Sequence, residues 1–223
     1  MATFLTLGVP EPRAGDPLLA RLLDDRAGRR LAGPLHAHPV VLASRLSRPG
    51  ADGGAPAAGP VVVELDVDPA GLPEHTAVRY TLRPPPEQVP DALAVDLPSP
   101  RAVRVSVLTD VHRVEAAGHH PQLDADADPA TVADFLAVLA HSPVGFIARA
   151  DDAAGVLRVL AATVAALRGD DVRTAWRAPD AARVRAVPAP AAKALREVLL
   201  SVEVPDASRV AADLAEAGLE PLP

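Results

Sequence analysis

The chain is predicted to adopt an α/β fold, on three observations. Residues 128–169 spell helix, buried strand, helix. Three segments between residues 61 and 110 alternate apolar and polar side chains with period two. At 223 residues, 49% of them hydrophobic, the chain is long enough to bury a substantial core.

The first observation is the most detailed. Asp128-Pro129 opens a helix, and Val132, Phe135, Leu136 and Leu139 recur at i, i+3, i+4 and i+7. A short apolar strand over 144–148 follows. Asp151-Asp152 then caps a second helix whose buried stripe is Val156, Leu160, Val164 and Leu167, and Gly169 stops it. Phe135, Leu136, Phe146 and Leu160 are expected to be buried together.

Toward the N-terminus, Leu18, Leu19, Leu22 and Leu23 predict a helix over 17–31, and Val40, Val41 and Leu42 a strand over 39–44. The Gly/Ala/Pro-rich stretch at 47–60 has no periodicity and is expected to form a flexible loop within a single domain, 1–223. Four strands are predicted next, over 61–67, 77–82, 93–97 and 102–108. Their connections are short and proline-rich, too short for a full crossover helix. Antiparallel pairing would explain this, as would a barrel wall stripped of its outer helices. The segment 118–128 reads as a solvated loop ending in the Asp128 cap. The last helices are predicted over 190–200 and 208–217, the second capped by Asp206 or Ser208 and ended by Gly218.

Composition removes several chemistries. There is no Cys, hence no thiolate nucleophile, disulfide or iron–sulfur cluster. Of 22 Lys and Arg residues only Lys193 is a lysine, and it lies off the apolar side of its helix, so a Schiff base is not expected. Net charge is −7 with dispersed Arg residues, which argues against a nucleic-acid partner. The start, 1–9, does not read as a signal peptide, and no apolar run approaches the ~20 residues of a membrane span. A soluble cytoplasmic protein without a membrane partner is expected.

In the alternating strands, Val61, Val63, Leu65 and Val67 oppose Glu64, Asp66 and Asp68. Val78, Tyr80 and Leu82 oppose Arg79, Thr81 and Arg83, while Val103, Val105 and Val107 oppose Arg104, Ser106 and Asp110. Strands buried on both faces in a parallel sheet normally read as continuous apolar runs. Either one face meets water, or the polar face lines a barrel interior holding opposite charges. On the second reading Glu64, Asp66, Arg79, Asp96 and Arg104 are the candidate ligand-binding residues. On the first they form a solvated face with cross-strand ion pairs. Asp124, Asp126 and Asp128 match the first positions of a calcium loop, but Pro129 and Phe135 stand where it needs Gly and Glu. No metal site, nucleotide motif or other cofactor is expected, and no catalytic residue can be assigned. Trp176 is expected to anchor a loop onto the body.

Several short segments resemble a bacterial family of uncharacterised TIM-barrel-like proteins. Leu22-Leu23-Asp24-Asp25 with Ala27-Gly28 is similar to the family's Leu-Ile-Asp-Asp-Ala-Gly. Pro39 with Ala43-Ser44-Arg45-Leu46 resembles Pro-Ala-Ser-Arg-Leu, and Asp96-Leu97-Pro98 resembles a Glu-Val-Pro strand end. Pro129, Ala133, Phe135 and Leu136, running into Pro143-Val144-Gly145-Phe146, resemble a helix and its following strand. The resemblance continues through Leu200-Ser201-Val202-Glu203-Val204-Pro205 and Leu214-Ala215-Glu216-Ala217-Gly218-Leu219. Two family motifs are absent: Lys-x-Arg-x-Gly-Gly is replaced by Arg104-Val105-Ser106-Val107-Leu108-Thr109, and Phe-Lys-x-Thr-Ala-Gly-Leu-His-His gives way to Phe146-Ile147-Ala148-Arg149-Ala150-Asp151, so both Lys residues and the His pair are missing. The resemblance implies a degenerate, helix-depleted TIM-barrel-like α/β domain whose usual site has been rewritten; the alternative is an α+β domain with an antiparallel sheet. Three functions follow as expectations: a vestigial barrel binding a small ligand or partner, a divergent lyase- or aldolase-like enzyme acting on a polar or anionic molecule, or a structural protein. The oligomeric state is left open.

Overall fold

A computed structural model describes residues 18–47, 59–73, 75–105 and 108–220. Eight strands close into a barrel in chain order: β1 (Leu23–Asp25), β2 (His36–Leu42), β3 (Val61–Glu64), β4 (Ala77–Leu82), β5 (Arg101–Arg104), β6 (His120–Asp124), β7 (Phe146–Arg149) and β8 (Leu199–Val204). Every neighbouring pair is parallel, including β8 on β1. The antiparallel alternative is overturned. The fold is that of a TIM-barrel-like α/β protein.

The outer layer is uneven. Between β2 and β3 lies the single turn α1 (Ala43–Leu46), and the described residues between β3 and β4 contain no helix. A 3₁₀ turn at Pro86–Gln88 and α2 (Val89–Ala94) precede β5; α3 (Leu108–Ala116) then leads to β6 and α4 (Pro129–Leu139) to β7. The covering is thickest after β7, with α5 (Ala153–Arg168), α6 (Val172–Arg177), α7 (Ala181–Arg185) and α8 (Ala189–Val198). α9 (Ala207–Glu216) closes the circuit against β1.

Local chemistry accounts for the well-predicted elements. Asp128 caps α4 by accepting from the Ala130 and Thr131 amides, with Pro129 in the first turn. Asp152 accepts from the Gly155 amide to start α5, and Gly169 ends it at φ +73°. Asp206 caps α9. The inward stripes of α4 and α5 meet the outer face of β7, so Phe135, Leu136, Phe146 and Leu160 share one core. Phe135 and Phe146 pack edge to face with centroids 5.2 Å apart. A smaller core under the helix-poor side joins Val61, Val63, Tyr80 and Leu82 to Ala43 and Leu46. Trp176 lies in α6 rather than a loop; it is buried and donates to the Ala127 carbonyl.

Other expectations are corrected. Residues 18–20 form a turn and Leu23–Asp25 a strand, where a helix over 17–31 was expected. Leu18, Leu19, Leu22 and Leu23 are all buried, and their spacing imitates a helical stripe beside a strand too short to show alternation. Leu93 and Ala94 belong to α2, opened by Pro90, not to a strand over 93–97. The strand over 102–108 ends at Arg104, and α3 begins at Leu108. The strand over 61–67 stops at Glu64, and that over 39–44 runs from His36 to Leu42 before α1. The strand over 144–148 is Phe146–Arg149. Residues 120–124 form β6, not a loop; three polar residues on its inward face, His120, Gln122 and Asp124, hid the strand. Leu199 and Leu200 extend the apolar pattern of α8 but start β8. The Gly/Ala/Pro-rich stretch falls largely outside the described residues, as do residues 1–9. Among the described residues no helix is long and apolar enough to cross a membrane.

Candidate functional site

Closure of the sheet sends one face of every strand inward, and parallel register stacks those side chains in rings. Asp24 lies beside Glu203, Glu203 beside Arg149, and Arg149 beside Asp124. On the other side Glu64 lies beside Thr81, and Arg104 beside Gln122. Val61, Val63, Tyr80 and Leu82 face outward to the small core. The polar faces therefore line the interior.

The inner tier is fully buried. Arg79 Nη2 donates to Asp24 Oδ2 at 2.7 Å and to Glu203 Oε1 at 3.1 Å. Glu203 also accepts from Thr81 Oγ1 at 2.8 Å and from Gln122 Nε2 at 2.9 Å. Asp24, Thr81, Gln122 and Glu203 are each 0% exposed. Burial alone would raise the Asp24 pKa. The Arg79 charge, with hydrogen bonding from His38 and Arg79, overrides that and holds it at about 2. Burial also opposes the Arg79 charge, yet Asp24 and Glu203 together raise its pKa. This tier is an ionic plug that fills the barrel interior, with Arg79 Nε and Gln122 Oε1 left without a partner among the described residues.

The mouth tier lies at the C-terminal strand ends. Asp124 Oδ2 forms an ion pair with Arg104, whose Nε lies 2.7 Å away, and accepts from Arg83 Nη2 at 3.4 Å. Arg149 Nη1 donates to Glu64 Oε1 at 3.3 Å. Burial lowers the Arg83 pKa; Asp124 opposes that, while neighbouring Arg149 and Arg104 lower it further. Among the described residues, Arg83 Nη1 and, on the rim, Arg26 Nε are buried without an acceptor, and Asp124 Oδ1 is buried without a donor. Two carboxylates thus serve three guanidinium groups at the mouth.

Three cavities meet this tier. One of about 410 Å³ is lined by Arg26, Arg83, Arg104, Arg149 and Arg158, with Asp124, Asp126, Asp151 and Asp152 on its wall. Beside it a cavity of about 240 Å³ is lined by Arg26, Arg45, Arg149 and Glu64, on an apolar floor of Val40, Leu42 and Pro205. A cleft of about 450 Å³ between α3 and α4 shares Arg104 and Asp124 with the first and ends on Val111 and Phe135.

The five residues singled out from the sequence occupy different places. Glu64 and Arg104 stand at the mouth, and Arg79 lies one tier below in the plug. Asp66 lies past the end of β3 and is exposed; it accepts from the Ser44 amide and hydroxyl. Asp96 is exposed and borders a separate groove with Asp68, His75 and Tyr80. Glu64, Asp66, Asp96 and Arg104 thus do not converge. The residues that complete the two tiers, Asp24, Arg83, Gln122, Asp124, Arg149 and Glu203, are not among the ligand-binding candidates from the sequence; Asp124 entered there only as part of a rejected calcium loop. Arg83 continued the polar phase of β4 and was the one legible signal. Gln122 and Asp124 lay in a segment read as a loop, and Asp24 in one read as a helix. Among the described residues no group of three His, Cys, Asp or Glu is placed to hold a metal ion.

Fold and site together define a closed parallel α/β barrel with a charged, plugged interior and an arginine-rich C-terminal mouth. No family model, curated protein or solved structure gave a significant match to the chain.

Proposed function

We propose that this protein is a non-catalytic barrel that binds a small anion at its mouth, through Arg83, Arg104 and Arg149. The carrying observation is Arg83. Its Nη2 donates to Asp124 at 3.4 Å, while Nη1 is buried with no acceptor among the described residues, and the charges of Arg149 and Arg104 act on the same guanidinium. A buried donor without a partner costs free energy that an incoming anion oxygen recovers. Guanidinium forks suit carboxylate and phosphate oxygens and do not exchange protons near neutral pH. Binding, rather than acid–base chemistry, is what such a lining does best. The two mouth carboxylates, Glu64 and Asp124, are engaged in ion pairs, which disfavours a lyase- or aldolase-like role.

Titration calorimetry with inorganic phosphate, sulfate and acetate tests this. Arg83→Met is expected to weaken the best of them by roughly 10- to 100-fold, the value of one charge-assisted hydrogen bond. Absence of binding at millimolar anion, or equal binding by Arg83→Met, would contradict the proposal.

A further inference from the structure

The mouth has two lobes rather than one. The cavities of about 410 and 240 Å³ share two lining residues, Arg26 and Arg149, which form the partition between them. Each partition residue is held from one side: Arg26 by Asp151 at 2.6 Å and Arg149 by Glu64 at 3.3 Å. Both side chains are largely buried, at 15% and 21% exposure. Each lines both lobes.

The lobes differ in their private residues. The larger adds Arg83 and Arg104, both paired with Asp124, together with Arg158 and the carboxylates Asp126, Asp151 and Asp152. The smaller adds Arg45 from α1, and its only carboxylate is Glu64. Arg45 bonds to no carboxylate among the described residues. Nearby Asp66 feels its charge but spends both carboxylate oxygens on Ser44. Arg26, Arg45 and Arg149 therefore surround a small space with a single acid. The rest of its wall, Val40, Leu42 and Pro205, is apolar and supplies no competing acceptor side chain.

From this geometry we infer that the ligand is a small molecule with two anionic groups, one seated in each lobe and its linking segment passing between Arg26 and Arg149. This rests on the anion-binding reading above and extends it to the ligand's class. A single anion in the larger lobe would leave Arg45 of the smaller one without a counter-charge. A two-headed anion satisfies both, and its second group binds at the high effective concentration set by the first. The apolar strip of Val40, Leu42 and Pro205 suits a short hydrocarbon linker.

The test is a titration series on the intact chain: acetate against α,ω-dicarboxylates from malonate to adipate, with the matching methylphosphonate and bisphosphonates as a second arm. In at least one arm, affinity is expected to rise at least tenfold over the mono-anion and to peak at one linker length. Arg45→Met is expected to collapse that ratio toward one. Arg83→Met is expected to weaken mono- and bis-anions alike. Mono-anion binding with a flat length series in both arms would overturn the two-lobe inference and leave the anion-binding reading standing. A length optimum that survives Arg45→Met would also overturn it. Failure of every anion to bind would remove both.

Discussion

Arg79 and Glu203 stand 124 positions apart in the chain and meet inside the barrel, with Arg79 Nη2 donating to Glu203 Oε1 across 3.1 Å. The same nitrogen reaches Asp24, so one guanidinium holds two fully buried carboxylates contributed by β1 and β8. Barrel interiors are usually filled by layers of branched apolar side chains. Here an ionic plug fills the same volume, and the arginine-lined mouth sits on top of it.

Removing one member of that plug leaves charge buried without a partner. Arg79→Met is expected to destabilise the protein by roughly 3–5 kcal/mol, because Asp24 and Glu203 lose their shared cation. Arg104→Met, at the mouth and 43% exposed, is expected to cost no more than about 1 kcal/mol. Urea unfolding of the two variants checks both values; comparable losses would mean that the tiers are not energetically distinct.

Acid should weaken the plug in a defined window. The folded pKa of Asp24 is about 2 against an ordinary value of 3.8. A carboxyl depressed by folding contributes its full stabilisation above the ordinary value and loses it as pH falls toward the depressed one. The contribution is on the order of 2 kcal/mol. Unfolding midpoints are therefore expected to hold steady above pH 5 and to drop between about 4 and 2. In Asp24→Asn that drop should be shallower, although the variant starts from a lower midpoint.

The helix–strand–helix block and the single lysine make a contrasting pair. Phe135→Ala should cost about 3–5 kcal/mol, since the ring is 3% exposed and packs on Phe146 and the α5 stripe. Lys193 is exposed on α8, and Lys193→Ala should change stability by less than about 0.5 kcal/mol. Thermal melts of both proteins suffice. A silent Phe135→Ala would show that this core is not the one the fold depends on.

Much of the architecture was legible because its determinants are local. The caps at Asp128, Asp152 and Asp206, the stop at Gly169 and the stripes of α4 and α5 act within one or two turns of chain, and the sequence displays them directly. The polar phase of β3, β4 and β5 was equally plain, since period-two alternation needs only a few consecutive residues. What alternation lacks is a sign: the same pattern describes a wet antiparallel sheet and a charged barrel interior. Only closure, with β8 bonded to β1, made the polar face the inside, because a closed sheet has a single enclosed face. Closure also chose the partners. Asp24, Arg79, Gln122 and Glu203 come from four strands spread over most of the chain, and no local spacing relates them. β1 and β6 escaped notice for the same reason. They are three and five residues long and carry inward polar groups, and they are strands because their neighbours supply the hydrogen bonds and counter-charges that the segments themselves do not encode. The sequence by itself determined the elements whose energetics are local. The tertiary structure alone decided which charges meet, because burial makes an unpaired charge costly and only the assembled barrel brings its partner within reach.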